Sequence, residues 1–355
     1  MKYRYKLERR KTVPLWIELA AVVGSLVVSL GVGAVLVLQS HTDLGLAYTA
    51  LFQGAFGSRE AILETLVQAT PLIFTGLAMV VAYRANYINL GAEGQFLFGA
   101  IAATGVSLAL PSAPRGVVIP LQILAGCLAG AAWALIPAVL KVRFGSSEII
   151  VTVMLNSVAD YFLSYLVSGP WKNPADYYNQ TAIFAPAAHW PTLFSSRLHI
   201  GLVLGLVAAL LVYYILWKTR IGYELRAVGE NPVASRYKGI SVNLIAIIAM
   251  SLSGALAGLG GVGEVCGIHH RLRAGLSKGY GWTGLTIALV AGLQPLGTVV
   301  ASILFGGLIN GSSYMRIVTG VETALADAFQ GIALVVVLVL MALVRFRVRR
   351  IPTDA

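Results

Sequence analysis

The sequence predicts an all-α polytopic membrane protein with about ten transmembrane helices, some short or broken, and with both termini in the cytoplasm. Of its 355 residues, 57% are hydrophobic and 12% are charged. Soluble domains carry about twice that charged share. Apolar segments of membrane-crossing length recur along the chain. Most of the 26 Lys and Arg residues lie in alternate connections between these segments, as the positive-inside tendency requires.

The apolar segments, in chain order, define the spans. Residues 1–14 form a basic cytoplasmic segment before an apolar run that is too long for a signal peptide and lacks a small-residue cleavage site, so we expect a retained first helix. The transmembrane domain is predicted over 15–344, and 345–355 is a cytoplasmic tail. The predicted spans are 15–38, 60–83, 91–110, 116–140, 148–168, 199–217, 242–262, 281–295, 296–315 and 324–344.

The longest predicted external connection is 169–198. It contains Trp171, Tyr177, Tyr178 and Trp190. Aromatic residues of this kind are typical of the belt at a membrane–water interface. We therefore expect this loop to anchor at the outer interface; contact with an extracytoplasmic partner is the alternative.

The basic connection 218–241 is predicted to be cytoplasmic. Inside it, Asn231 can cap a short helix, Pro232 suits the first helical position, and Gly239 can end the helix. Two interpretations stay open from these residues. The segment is either a solvated connector or a helix that docks on a soluble partner.

The region 263–323 does not fit simple alternation of spans. Arg271, Arg273 and Lys278 would lie outside, against the charge bias, and the two apolar segments that follow are short. A hairpin of short or broken helices that turns near 294–297 would explain both features.

Catalytic and metal-binding patterns are missing from the sequence. It contains no GxxxxGK[ST] phosphate loop and no GxSxG motif. Cys127 and Cys266 lie far apart without metal-ligand spacing. We predict no catalytic residue, no metal and no cofactor. The basic residues lie between apolar spans, which favours contact with membrane lipid and gives no support for nucleic-acid binding.

Polar side chains within apolar segments are candidates for a solute path, namely Asn89, Glu93, Gln95 and Asn156. Trp282 is a further candidate because its flat apolar face could stack on a ring, with anchoring at the membrane interface as the alternative. Buried polar groups need partners because burying them unpaired costs a few kcal/mol each. The residues alone leave two roles open, packing between helices or lining of a path for a polar solute.

Four segments resemble the membrane permease subunits of ABC importers, in the nucleoside and simple-sugar branch of the ribose and branched-chain amino acid permease superfamily. These segments are Asn89–Gln95, Glu148–Asn156, Arg226–Pro232 and Pro295–Gly297, and the resemblance covers roughly residues 60 to 345. It implies a subunit of the bacterial inner membrane that translocates nucleosides or related sugars by alternating access.

The resemblance also implies partners. They are a second permease, as a homodimer or a related heterodimer, an extracytoplasmic solute-binding lipoprotein, and a cytoplasmic ABC ATPase that binds the ATP. The connection 218–241 would be the coupling helix for that ATPase. The contact residues expected there are Arg226, Gly229, Glu230, Asn231, Pro232, Ala234, Arg236, Tyr237 and Gly239.

Two other functions compete with this interpretation. An ion-coupled secondary transporter would use ionisable residues within spans, for which Glu18, Asp160 and Asp327 are the candidates. A polytopic membrane enzyme is disfavoured because no catalytic constellation is recognisable. The sequence leaves open which nucleoside or sugar is carried.

Overall fold

The computed structural model of the chain describes residues 3–9, 24, 27–35, 38, 43–320, 328, 331–332, 335–336, 339–340, 343–344 and 346–352. Positions 27–35 are helical, within the first predicted span. The last predicted span, 324–344, lies mostly outside the described residues, as do Glu18 and Asp327.

Helices joined by mostly short connections make up residues 43–320. In chain order they are α1 (Leu44–Phe56), α2 (Arg59–Arg84), α3 (Ala92–Ala109), α4 (Arg115–Phe144), α5 (Glu148–Ser168), α6 (Gly201–Lys218), α7 (Arg220–Glu230), α8 (Pro232–Tyr237), α9 (Val242–Gly263), α10 (Tyr280–Val290) and α11 (Pro295–Thr319). A 3₁₀ turn forms at Pro186–Ala188, and a π-helical turn at Glu264–His269 continues α9.

The eight predicted spans between residues 60 and 315 coincide with helices, but not every helix there can cross a membrane. Among the described residues, six helices are long and apolar enough, namely α2, α4, α5, α6, α11 and α9 with its π-helical turn. Helix α10 has 11 residues. It therefore rises about 16 Å, against a hydrocarbon core of about 30 Å. The expected short hairpin is confirmed in part, because α10 is short while α11, with 25 residues, is full length.

The chain divides into two compact units, residues 59–307 and residues 1–58 with 308–355. In the unit 59–307, helix α9 packs through its glycines. A Cβ on Gly254 would lie 2.3 Å from the carbonyl oxygen of Gly130, and one on Gly261 would lie 1.9 Å from that of Phe96. Since such distances are far below van der Waals contact, only glycine lets the backbones approach this closely. The glycines of α9 therefore form a small-residue packing surface.

In the other unit, α1 packs against the second half of α11. Asn310 Nδ2 donates to the carbonyl oxygen of Gly54 at 2.7 Å. The terminal segments Tyr3–Arg9 (β1) and Phe346–Pro352 (β2) pair as antiparallel strands. This ribbon departs from the all-α prediction. Its Tyr, Phe, Val and Ile residues favour extended backbone, a signal that a hydropathy scan does not register.

The connection 169–200 folds onto the π-helical turn and the residues that follow it. Backbone amides of Phe184 and Trp190 donate to the carbonyl oxygens of His270 and Cys266, at 2.8 and 3.1 Å. The imidazoles of His189 and His270 stack with their centroids 3.9 Å apart. Most of this connection is therefore an ordered cover for one end of the helices.

Trp190 is not an interfacial anchor, and that prediction was wrong. Its side chain is 1% exposed, and its Nε1 donates to Gln122 Oε1 at 3.1 Å. Because the indole N–H has a buried acceptor, the whole ring can enter the core. Tyr177 and Tyr178 are exposed, and their role at the interface stays a prediction.

Candidate functional site

The connection 218–241 contains two helices, α7 and α8. Helix α8 has the predicted ends. Asn231 Oδ1 accepts the backbone N–H of Ala234 at 3.0 Å, Pro232 is the first helical residue, and Gly239 follows with φ +79°. The predicted short helix is confirmed. Its caps come from local sequence, so it does not depend on distant contacts.

Helix α7 packs against the body of the chain. Leu225 and Val228 are buried in the main hydrophobic core. A Cβ on Gly229 would lie 2.1 Å from the carbonyl oxygen of Arg84, and one on Gly222 would lie 2.0 Å from that of Ile215. The segment is therefore not a solvated connector, because α7 is seated on the ends of α2 and α6.

Helix α8 is presented outward. Tyr237 is 89% exposed and Val233 63% exposed. Of the residues predicted to contact an ATPase, Arg226 and Gly229 are half-buried and lie against α6 and α2. The exposed ones are Glu230, Asn231, Pro232, Ala234, Arg236, Tyr237 and Gly239. An exposed aromatic and aliphatic pair flanked by charges of both signs is chemistry that suits a protein interface.

The predicted path amides Asn89 and Gln95 lie in a closed network. Asn89 Nδ2 donates to Gln95 Oε1 at 2.9 Å and to Ser253 Oγ at 2.8 Å, and Gln95 Nε2 donates to Asn89 Oδ1 at 3.0 Å. Ser253 Oγ donates in turn to the carbonyl oxygen of Ala78 at 2.7 Å. All three side chains are buried. The amides satisfy one another and join the start of α3 to α9 and α2, which favours packing over contact with solute.

Asn156 also makes buried hydrogen bonds that join two parts of the chain. Its Nδ2 donates to the carbonyl oxygen of Leu90 at 2.8 Å, and its Oδ1 accepts the N–H of Gly94 at 2.9 Å. It is buried, whereas Asp160 one turn further along α5 is exposed. Asn156 therefore ties α5 to the start of α3, which favours packing over contact with solute.

Glu93 and Trp282 differ from the amides because they are accessible. Glu93 is half-buried, and its Oε2 accepts the N–H of Gly281 at 2.7 Å, at the start of α10. A carboxylate is favourable there because a helix N-terminus carries partial positive charge. Trp282, the next residue, is 43% exposed. The start of α10 thus combines a bound carboxylate with an accessible flat ring.

Arg84, the last residue of α2, binds the turn at the other end of α10. The sequence did not predict a role for it. Its Nε and Nη2 both donate to the carbonyl oxygen of Leu293, at 3.1 and 2.9 Å, in the turn between α10 and α11. In the sequence it is one more basic residue at the end of a span. A partner 209 positions away leaves no local signal.

Among the residues that the structure describes, no group of three His, Cys, Asp or Glu side chains is placed to hold a metal ion. Within the same residues, the clustered histidines make other contacts. His270 stacks on His189, and His269 Nε2 lies 3.2 Å from Glu264 Oε1. Glu264 is buried. Its neighbour His269 follows it within the same π-helical turn.

Residues 61–338 match the family of permease components of the branched-chain amino acid transport system. The chain belongs to this family. The permease is 34% identical to the glucose ABC transporter permease protein TsgB13 of Haloferax volcanii, over 98% of this chain and 94% of that protein. It is 36% identical to the guanosine ABC transporter permease protein NupP of Bacillus subtilis, over 85% and 88% of the two chains.

A third relative is the nucleoside ABC transporter permease protein NupB of Lactococcus lactis subsp. cremoris, 35% identical over 86% of the permease and 85% of that protein. These proteins are named for ABC transport, which favours the first interpretation over the ion-coupled transporter. The permease is a multi-pass membrane protein of the ABC transport family, in agreement with the resemblance of its four segments.

Proposed function

We propose that the permease is the membrane-spanning subunit of an ATP-driven importer in the bacterial cytoplasmic membrane, and that it translocates nucleosides or related simple sugars by alternating access. The observation that carries the proposal is α8, a capped and almost fully exposed helix. It is held on the body of the chain by the buried residues of α7. A helix so placed can be pushed by a partner without unfolding its own support.

The partner at α8 is a cytoplasmic ABC ATPase, which binds the ATP. ATP binding closes the ATPase subunits, α8 moves with them, and the helices open toward the other side. Such a shift requires that the ligand bind one state more tightly than the other. The antiparallel pairing of β1 with β2 supports both termini on one side of the membrane, and the charge bias of the sequence favours the cytoplasmic side. A second permease and an extracytoplasmic solute-binding lipoprotein complete the importer.

The solute path runs past the start of α10. Trp282 offers a ring on which a base or a sugar face can stack, and Glu93 offers a carboxylate that can accept a hydrogen bond from a hydroxyl group. The buried hydrogen bonds of Asn89, Gln95 and Asn156 support a packing role for these three amides. Substrate binding along the path is weak because the solute-binding protein supplies the specificity. Nanomolar binding of a nucleoside by the isolated permease would contradict this.

The test is uptake of labelled nucleosides, ribose and glucose by cells that carry the complete gene cluster, with charge reversals in the coupling segment. Glu230→Arg with Arg236→Glu should abolish uptake and co-purification of the ATPase while the permease stays in the membrane. Lys172→Glu, an exposed charge in the connection between α5 and α6, is the matched control and should transport normally. Normal uptake by the double variant would contradict the assignment of α8.

A further inference from the structure

One aromatic ring brings together three helices at the α7 end of the molecule. Trp217 lies in the last turn of α6. Arg84 Cζ of α2 is 5.1 Å from its ring centroid, and Arg226 Cζ of α7 is 5.8 Å from it. Both separations are within the range of cation–π attraction. The stacking of Tyr213 on the same ring, 5.3 Å between centroids, fixes the position of Trp217.

The Arg84 guanidinium also holds the turn between α10 and α11. Two of its nitrogens converge on the carbonyl oxygen of Leu293. Gly292, with φ +65°, ends α10 in the left-handed conformation common at helix C-termini, and the Leu293 N–H closes the turn on the carbonyl oxygen of Ala288 at 2.9 Å. Leu293 follows with φ +58°, a conformation that few non-glycine residues adopt, and this turn sets the direction of its carbonyl. Arg84 supplies two hydrogen bonds to it.

Helix α7 contacts Arg84 a second time, through the backbone. The contact of Gly229 with the Arg84 carbonyl leaves no room for a side chain between α7 and the end of α2. A displacement of α7 therefore acts on Arg84 through both the Trp217 ring and the main chain. Arg84 also connects to α10, and at the other end of α10 the Gly281 N–H donates to Glu93 Oε2 at 2.7 Å.

We propose that Arg84 is a positioning residue that transmits movement of α7 and α8 to α10, and so to the start of α10 beside Glu93 and Trp282. The proposal rests on the proposed function, since it requires that α8 be moved by an ATPase. Helix α10 has 11 residues, so a shift at its Leu293 end reaches Gly281 within about three turns. Arginine suits this role because its planar group offers two parallel donors and a face for an aromatic ring, whereas lysine offers a single point charge.

The test uses the complete importer in proteoliposomes, containing this permease with its second permease, the ATPase and the solute-binding protein. Solute uptake and ATP hydrolysis are measured on the same vesicles, and their ratio is the readout. The variants are Arg84→Met, Arg84→Lys and Trp217→Leu. Arg143→Met is the matched control, because Arg143 is an exposed basic residue in the last turn of α4.

We expect Arg84→Met to assemble and to hydrolyse ATP at close to the unaltered rate while it moves about tenfold less solute per ATP. Arg84→Lys should retain part of the ratio because it keeps the charge and one donor. Trp217→Leu should lower the ratio in the same direction, and Arg143→Met should leave it unchanged. A residue that served folding alone would lower uptake and hydrolysis together and leave their ratio intact.

An unchanged ratio in Arg84→Met would overturn the proposal. If that variant does not assemble, Arg84→Lys and Trp217→Leu decide the question, and an unchanged ratio in both overturns it equally. Failure of the proposed function has a different signature, because the unaltered vesicles would then take up solute without regard to ATP.

Discussion

Gly229→Ala tests how α7 is seated. In an open helix, replacing glycine by alanine adds up to about 1 kcal/mol of stability. At Gly229 the new Cβ would lie 2.1 Å from the carbonyl oxygen of Arg84, which is main chain and cannot rotate away. Helix α7 would have to move by about 1 Å to restore contact distance, at a cost typical of overpacking, about 1–3 kcal/mol.

The movement would also loosen Leu225 and Val228, which α7 buries. The net effect is therefore a loss of about 1–2 kcal/mol after the gain in helix propensity is subtracted. Gly116→Ala is the matched control. Gly116 is also helical, and a Cβ there would meet nothing within 4 Å. We expect this variant to be neutral or slightly more stable.

The assay is thermal unfolding of the purified permease in detergent, together with retention of the ATPase on an affinity column. Gly229→Ala should unfold roughly 2–6 °C below the unaltered protein and retain less ATPase. Gly116→Ala should match or exceed the unaltered protein in both respects. Equal behaviour of the two variants would refute the close seating of α7 on the end of α2.

Three further predictions concern buried polar groups. Burial lowers the pKa of His199, two residues before α6, to about 4, with His270 adding to the effect. Above pH 6.5 His199 is neutral in the folded and the unfolded chain, so this residue costs no stability there. As the pH drops toward 4, the unfolded chain takes up a proton that the folded chain does not, and the free energy of unfolding should fall by about 3 kcal/mol. Thermal unfolding measured across this pH range checks the prediction, and His199→Gln should abolish most of the pH dependence. Trp190→Phe leaves Gln122 Oε1 without its indole donor and should cost about 1–3 kcal/mol in thermal unfolding, and no loss would contradict the buried bond. Asn89→Leu leaves the Gln95 amide and the Ser253 hydroxyl without a hydrogen-bond partner that they now have, so it should destabilise the permease by a similar amount or more. A transport defect with normal stability would instead indicate that Asn89 contacts the solute.

Hydrophobic runs and local caps carried most of what the sequence predicted. The boundaries of α2 and α5 follow from apolar length, because the hydrocarbon thickness fixes how long a span must be. The ends of α8 follow from Asn231, Pro232 and Gly239, because capping depends on neighbours within one turn. Features that a few adjacent residues determine are readable from a single sequence.

Features that depend on distant partners were missed or misjudged. Asn89 has the same appearance in sequence whether it faces a path or pairs with Gln95 and Ser253, and the fold alone decides. Trp190 resembled an interfacial residue because the sequence does not reveal that Gln122 lies opposite its N–H. Arg84 was missed because its partner is the carbonyl oxygen of Leu293, in a turn whose position hydropathy predicts only approximately.

The most direct test of the account is the energy source of transport. Solute accumulation should be measured in proteoliposomes containing the complete importer, with ATP inside and no ion gradient, and again with a proton or sodium gradient and no ATP. The account predicts accumulation with ATP alone and none with the gradient alone. Accumulation driven by the gradient, or uptake that survives removal of ATP, would contradict it and make the permease a secondary transporter.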